Sequence, residues 1–134
     1  MKKIILFVED MQEMIEPAKD LILAAGFRVV TASNLEVVER FFGKINFDGV
    51  ITDMLFPQRP GATDTTPCGI AVVTMALAQK VPVVVCSSAG HDIDYIKATL
   101  KNLGQITGTS IPMPGKDLRA CIAIIKQLTQ EVEK

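Results

Sequence analysis

Four side chains able to ligate or react stand just beyond apolar runs in this sequence: Glu9 and Asp10, Asp53, and Ser87. Asp53 has the clearest setting. Asp48-Gly49-Val50-Ile51-Thr52 leads into it, and Met54-Leu55-Phe56-Pro57 follows. A short β-branched run fed by a glycine and ended by a proline reads as a buried strand, here with a carboxylate at its exit. Glu9 and Asp10 close a similar run over 3–8, and Ser87-Ser88 close a third over 81–86. Carboxylates brought together raise one another's pKa, a cost that a cation offsets. Mg2+ suits such a place, because it takes one or two carboxylates, a backbone carbonyl, waters and a phosphate oxygen. Asp10, Asp53 and the carbonyl of Leu55 would form the protein's part of that shell, with Glu9 slightly outside it. A serine hydroxyl at 87 or 88 could donate to a phosphoryl oxygen. Each residue also has a plainer reading. An acid after a strand often only starts a turn, serines there turn the chain or cap a helix, and Asp10-Met11-Gln12-Glu13 fits an Asp variant of the capping box.

The elements that would bring these groups together follow from periodicity. Strands are expected at 3–8, 27–31, 49–52, 81–86 and 108–111, and helices at 11–25, 34–42, 69–79, 92–101 and 116–131. The first helix carries Met14 or Ile15, Ala18, Leu21 or Ile22, and Ala25 on one face, has Pro17 early in it, and is closed by Gly26. The second is capped by Ser33 or Asn34 and ended by Gly43. Between 58 and 67 all periodicity breaks, and the composition is that of a loop. Uniformly apolar strands alternating with amphipathic helices call for a parallel sheet covered on both faces. Right-handed crossovers then favour a flavodoxin-like (βα)5 doubly wound sheet, strand order 2-1-3-4-5. In that order the first and third strands are neighbours, so Glu9, Asp10 and Asp53 converge.

The totals bound the alternatives. A chain of 134 residues that is 49% hydrophobic and 22% charged is expected to be one domain over 1–134, with no output domain and with enough apolar side chains for a substantial core. Mean hydropathy is high, +0.32, yet the longest apolar runs are strand-length, too short to span a membrane or serve as a signal peptide. A net charge of −1 gives no electrostatic case for nucleic acid or anionic lipid, and 5% aromatic residues without tryptophan give no stacking surface. Cys68, Cys86 and Cys121 are odd in number and lack metal-ligand spacing, which fits reduced packing cysteines in a cytoplasmic protein.

Val8-Glu9-Asp10, Ile51-Thr52-Asp53-Met54-Leu55-Phe56-Pro57 and Pro82-Val83-Val84-Val85-Cys86-Ser87 together resemble the response-regulator receiver domain of two-component signalling. The resemblance covers nearly the whole chain. It implies Mg2+-dependent transfer of a phosphoryl group to Asp53 from a histidine kinase, a phosphotransfer protein or a small phosphodonor. Glu9 and Asp10 would be the acidic metal pair and Ser87 the switch hydroxyl. It further implies signalling through the face made by the fourth helix, fifth strand and fifth helix, toward another protein or a second copy. Chemistry of this kind is mostly positioning and charge neutralisation, which suits so sparse a site.

Two departures from the family stand out. A lysine normally precedes a proline after the fifth strand, but here Met113 or Ile111 holds that place, depending on whether Pro114 or Pro112 is aligned. Neither neutralises a phosphoryl oxygen, and a charge-assisted hydrogen bond of this type contributes about 1.5–3 kcal/mol. Lys116 is expected in the first turn of the last helix, away from the acceptor. Nor does 108–111 hold the aromatic residue the family often keeps there. The loop after Pro57 is also lengthened, so that Gly69 opens the third helix only after an insertion over 58–68. That insertion would be a surface extension, a cover carrying Arg59 toward a phosphate, or a partner surface. His91, the only histidine, reads as a loop residue before a helix rather than a ligand. Thr63, Thr65 and Thr66 show nothing beyond loop composition.

Three functions compete on these residues. A phospho-accepting receiver uses every acid in the motif. A pseudo-receiver would use the same fold for phosphorylation-independent binding or dimerisation, and Met113 is its main support. A Mg2+-dependent phosphohydrolase would need a general acid two residues after Asp53, where Leu55 stands and cannot transfer a proton.

Overall fold

The computed structural model describes residues 2–88 and 93–132, with the side chains of Ile93, Glu131 and Val132 left out of account. In chain order the elements are β1 (Ile4–Val8), α1 (Gln12–Ala24), β2 (Arg28–Ala32), α2 (Leu35–Phe42), β3 (Gly49–Thr52), α3 (Gly69–Ala78), β4 (Val83–Val85), α4 (Ile93–Thr107) and α5 (Leu118–Val132). The strands pair in parallel in the order β2-β1-β3-β4, the doubly wound arrangement of a flavodoxin-like fold.

Period-two alternation along these strands sends side chains to two separate cores, which is why β1 and β4 are apolar at every position. Leu6, Val8, Val50, Val83 and Val85 pack with Val38, Val72, Val73, Ile96 and Leu100 beneath α2, α3 and α4. Ile5, Phe7, Ile51 and Val84 pack with Ala18, Ile22, Cys121, Ile122 and Ile125 beneath α1 and α5. Full burial of each larger aliphatic or aromatic side chain contributes roughly 1.5–3 kcal/mol, so either layer strongly sets strand register. Among the described residues no helix is long and apolar enough to cross a membrane.

Local chemistry sets the boundaries. Asn34 caps α2 by accepting from the amide of Val37 at 3.0 Å, and the chain turns out of α1 through Gly26 at φ +97°, a conformation glycine adopts without strain. Pro17 lies inside α1, as its position predicts. The residue at the N-terminal boundary of α1 is Met11, with no side-chain cap, so the capping role considered for Asp10 is not found.

The expected fifth strand is the main correction. No ladder forms over 108–111 among the described residues. The segment follows β4 with one backbone bond, from the amide of Val85 to the carbonyl of Pro112 at 2.9 Å. Pro112 and Pro114 lack the N–H groups a ladder needs, and Gly108 turns at φ +72° just before them. The fourth helix runs to Thr107, past the expected 101, and α5 starts at Leu118 rather than 116.

Lengthening the connection after β3 does not leave it loose. Phe56 and Thr66 exchange both backbone bonds at 3.2 Å, closing the insertion into a pinned loop. Its first residues cover the start of α2, because the carbonyls of Pro57 and Gln58 accept from the amides of Leu35 and Glu36 at 3.1 and 2.9 Å. These are orphan donors of a helix N-terminus, and satisfying them ties the loop to the fold.

Candidate functional site

Register determines which side chains meet. Val8 pairs with Thr52, and Thr52 pairs with Val85. The next residue on each strand, Glu9, Asp53 and Cys86, therefore falls in one row at the C-terminal edge of the sheet. Backbone bonds hold that row: the amide of Asp53 donates to the carbonyl of Val8 at 3.0 Å, and the amide of Cys86 to that of Thr52 at 2.8 Å. Ser87 is buried one residue beyond it.

Glu9, Asp10 and Asp53 converge as their spacing predicts, each offering an oxygen within 4.8 Å of the others. Glu9 is only 1% exposed, and both of its carboxylate oxygens hold hydrogen bonds. Its Oε2 accepts from the amides of Asp10 and Met11 at 3.1 and 3.4 Å, while Oε1 meets a lysine. Asp10 and Asp53 are half-buried, and Asp53 Oδ1 accepts from the amide of Met54 at 2.7 Å. Leu55 lies in the turn that follows, its side chain against the core beneath α2, α3 and α4. Behind Asp53, Gly69 brings the start of α3 so near that a Cβ there would lie 2.5 Å from the Asp53 carbonyl oxygen. Only glycine permits this approach.

That lysine is Lys116, and its place corrects the expectation that it sits away from Asp53. Its ammonium lies 2.8 Å from Glu9 Oε1 and 3.0 Å from Asp53 Oδ2, with the side chain 29% exposed. The helix begins two residues later than expected because Asp117 serves as its cap, accepting from the amide of Ala120 at 3.1 Å. Lys116 thus precedes the helix, and Gly115 at φ +96° reverses the chain just ahead of it. An aspartate before Leu118-Arg119-Ala120, after a Pro-Gly turn, was the sequence signal for this arrangement. Met113 and Ile111 pack instead against the core beneath α2, α3 and α4.

The electrostatics follow from burial. Desolvation raises the pKa of Glu9, partly countered by the Lys116 hydrogen bond and reinforced by the neighbouring Asp53 charge. Burial pulls Lys116 down, but its bonds to Glu9 and Asp53 outweigh that and leave its pKa above 10.5. A cation whose pKa is raised by folding stabilises the fold fully below its unfolded value and loses that contribution as pH rises through the folded one. Stability is therefore expected to fall above pH 10.5 more steeply in the natural chain than in Lys116→Met. The difference between their melting temperatures, measured across pH 9 to 12 as an approximate window on lysine titration, should shrink at the alkaline end. A constant difference would show that the ammonium contributes nothing through its charge.

Oxygen-only donors at this spacing fit a hard divalent cation, which the buried Glu9, already satisfied by backbone amides and Lys116, would support from outside. His91 lies outside the described residues. Arg59 is exposed in the pinned loop, which encloses a cavity of about 410 Å3 with Gln58 and Thr66.

No protein-family model matches the sequence, and no curated protein matches it. Solved structures do. The chain is similar to the receiver domain of a Francisella response regulator, with a TM-score of 0.70 at 17% identity, covering 98% of this chain and 99% of that one. It is likewise similar to a CheY-like response-regulator receiver domain protein from Methanospirillum hungatei JF-1, with a TM-score of 0.71 at 16% identity over 99% and 98% of the two chains. A response-regulator receiver domain protein from Clostridium thermocellum gives a TM-score of 0.71 at 21% identity over 98% and 97%. The chain has the receiver-domain fold.

Proposed function

We propose that this domain is a phospho-accepting receiver that takes a phosphoryl group on Asp53. The observation that carries the reading is the Lys116 ammonium, which bridges Asp53 and Glu9 although the motif position for a lysine holds Met113. A pseudo-receiver drew its main support from that missing cation.

In the proposed reaction a carboxylate oxygen of Asp53 attacks phosphorus on a histidine kinase, a phosphotransfer protein or a small phosphodonor. The new P–O bond forms as the bond from phosphorus to the donor's nitrogen or oxygen breaks, and the electron pair leaves with the donor. Mg2+, when bound, supplies charge that offsets the phosphoryl oxygens, and Asp10, Asp53 and the Leu55 carbonyl would hold it, with Glu9 behind them. Lys116 exchanges its bond to Asp53 for one to a phosphoryl oxygen and keeps its bond to Glu9. Ser87 donates its hydroxyl to another phosphoryl oxygen. The short link from Lys116 through Asp117 to α5 carries that exchange toward the helix.

The message would leave through α4, the 109–114 segment and α5. Tyr95 and Ile106 on α4 are 69% and 81% exposed, and Lys97, Lys101 and Ser110 border a groove of about 490 Å3 there. Large exposed apolar groups on this helix suit a protein partner. A cytoplasmic setting belongs to the same proposal and agrees with three free thiols.

Beryllofluoride with millimolar Mg2+ tests it. Amide resonances around Asp53, Ser87 and Lys116 are expected to shift, and Asp53→Asn should abolish the shifts while remaining folded. An unchanged spectrum in the natural chain would falsify the proposal and leave the fold as a binding module.

A further inference from the structure

The edge strand β4 carries a pair of backbone groups that the fold leaves open. In its ladder with β3, the Val50 amide donates to the Pro82 carbonyl at 2.9 Å and the Cys86 amide to the Thr52 carbonyl at 2.8 Å. That side is therefore taken by Pro82, Val84 and Cys86, while Val83 and Val85 aim their peptide groups the other way. Val85 donates to the Pro112 carbonyl. Among the described residues nothing bonds the N–H or C=O of Val83, although this residue is only 2% exposed. Buried backbone groups are almost always paired, so Val83 calls for a partner.

The space beside it has a physical cause. Pro112 and Pro114 keep the preceding segment from laddering, which leaves a cavity of about 610 Å3 where a fifth strand would start. Leu77 of α3 lines it from one core layer and Leu128 of α5 from the other, with Val83 between them. Exposed Lys80, Thr109 and Ser110 complete the lining. No acid lines this cavity or the adjoining groove, which shares Thr109 and Ser110 and adds Lys97 and Lys101. Lys80 stands at φ +60°. Its amide donates to Leu77 at 3.1 Å and that of Val81 to Ala76 at 2.8 Å, a Schellman motif whose left-handed position usually holds glycine. Gly108 takes that conformation after α4, whereas a lysine after α3 accepts backbone strain and sets a cation beside the cavity.

We propose that the β4 edge at Val83 takes an extended, acidic segment of a partner protein by strand addition. A peptide chain supplies both an acceptor for the Val83 N–H and a donor for its C=O, which a simple anion or cation does not. Alternate side chains of the segment would lie toward Leu77 and Leu128, and its acids near Lys80, Lys97 and Lys101. A second copy of this chain fits poorly, because a two-fold pairing brings the same lysines of both copies to one edge. The site is separate from Asp53 and does not depend on phosphorylation.

The test titrates the isotope-labelled full chain with a short blocked peptide of alternating valine and threonine, with aspartate at both ends. In the free chain the Val83 amide is expected to exchange faster than that of Val84, and the peptide should slow it and shift the Val83, Leu77 and Leu128 resonances. The same peptide N-methylated at its central valines keeps its charge but cannot pair, and should not bind. Lys80→Gly relieves the strain at φ +60° and so stays folded, while binding should weaken about two- to fivefold, the worth of an exposed ion pair. No response at Val83 to millimolar peptide, or equal binding of the N-methylated form, overturns the proposal. So does a Val83 amide already protected in the free chain, which would mean that 109–111 or a second copy pairs with it. Unchanged affinity in Lys80→Gly overturns the choice of an acidic partner.

Discussion

Lys116→Met is expected to weaken beryllofluoride binding in the presence of Mg2+ by roughly tenfold to a hundredfold. The figure follows from one charge-assisted hydrogen bond, about 1.5–3 kcal/mol, with each 1.4 kcal/mol a factor of ten. Methionine keeps most of the stem's apolar packing, so the loss is assigned to the ammonium. A second effect separates this role from a merely structural one. Without the ammonium, Glu9 is left buried beside Asp53 with only the amides of Asp10 and Met11 to balance it. Breaking a buried pair costs about 3–5 kcal/mol, and partial exposure of Lys116 places this one toward or below the lower end. A divalent cation among the three acids then replaces the lost charge. Mg2+ should therefore raise the melting temperature of Lys116→Met more than that of the natural chain. Unchanged beryllofluoride affinity, measured by titration, would show that Lys116 neutralises the resting site only.

The largest loss of stability is expected from Phe56→Ala, about 3–5 kcal/mol. Phe56 is the largest of the fully buried side chains and sits at the junction of β3, the pinned loop and α3. Its removal forfeits the transfer energy of the ring and leaves a cavity that cannot readily close, because the backbone there is held from both sides by Thr66. The midpoint of equilibrium urea unfolding should fall with little change in slope. Faster amide exchange is expected at Thr66, whose amide bond to Phe56 shares the cavity, and at Leu35 and Glu36, whose partners Pro57 and Gln58 directly follow Phe56. A loss below about 1 kcal/mol would mean that the loop relaxes into the space. In that case the insertion after Pro57 is the surface extension its composition suggested, rather than a tied part of the fold.

What repeats along the chain can be read from the residues alone. Apolar strands with amphipathic helices between them require a two-faced parallel sheet, and the wound order then places Glu9, Asp10 and Asp53 at adjacent strand exits. These conclusions depend on periodicity and local composition, which neighbouring residues carry. Asn34 as a cap and Gly26 as a turn were legible for the same reason. The fifth unit was less so. Ile111 and neighbouring residues look strand-like one at a time, but a ladder needs consecutive donors, and Pro112 and Pro114 remove them. The destination of Lys116 depends instead on long-range packing. Asp117 as a cap and Gly115 as a turn are local features, yet the ammonium's destination depends on how far α5 lies from the β1 and β3 exits. Two carboxylates, one of them buried, attract a cation from anywhere within reach, so the charge the motif lacks at Met113 arrives from three residues further along the chain.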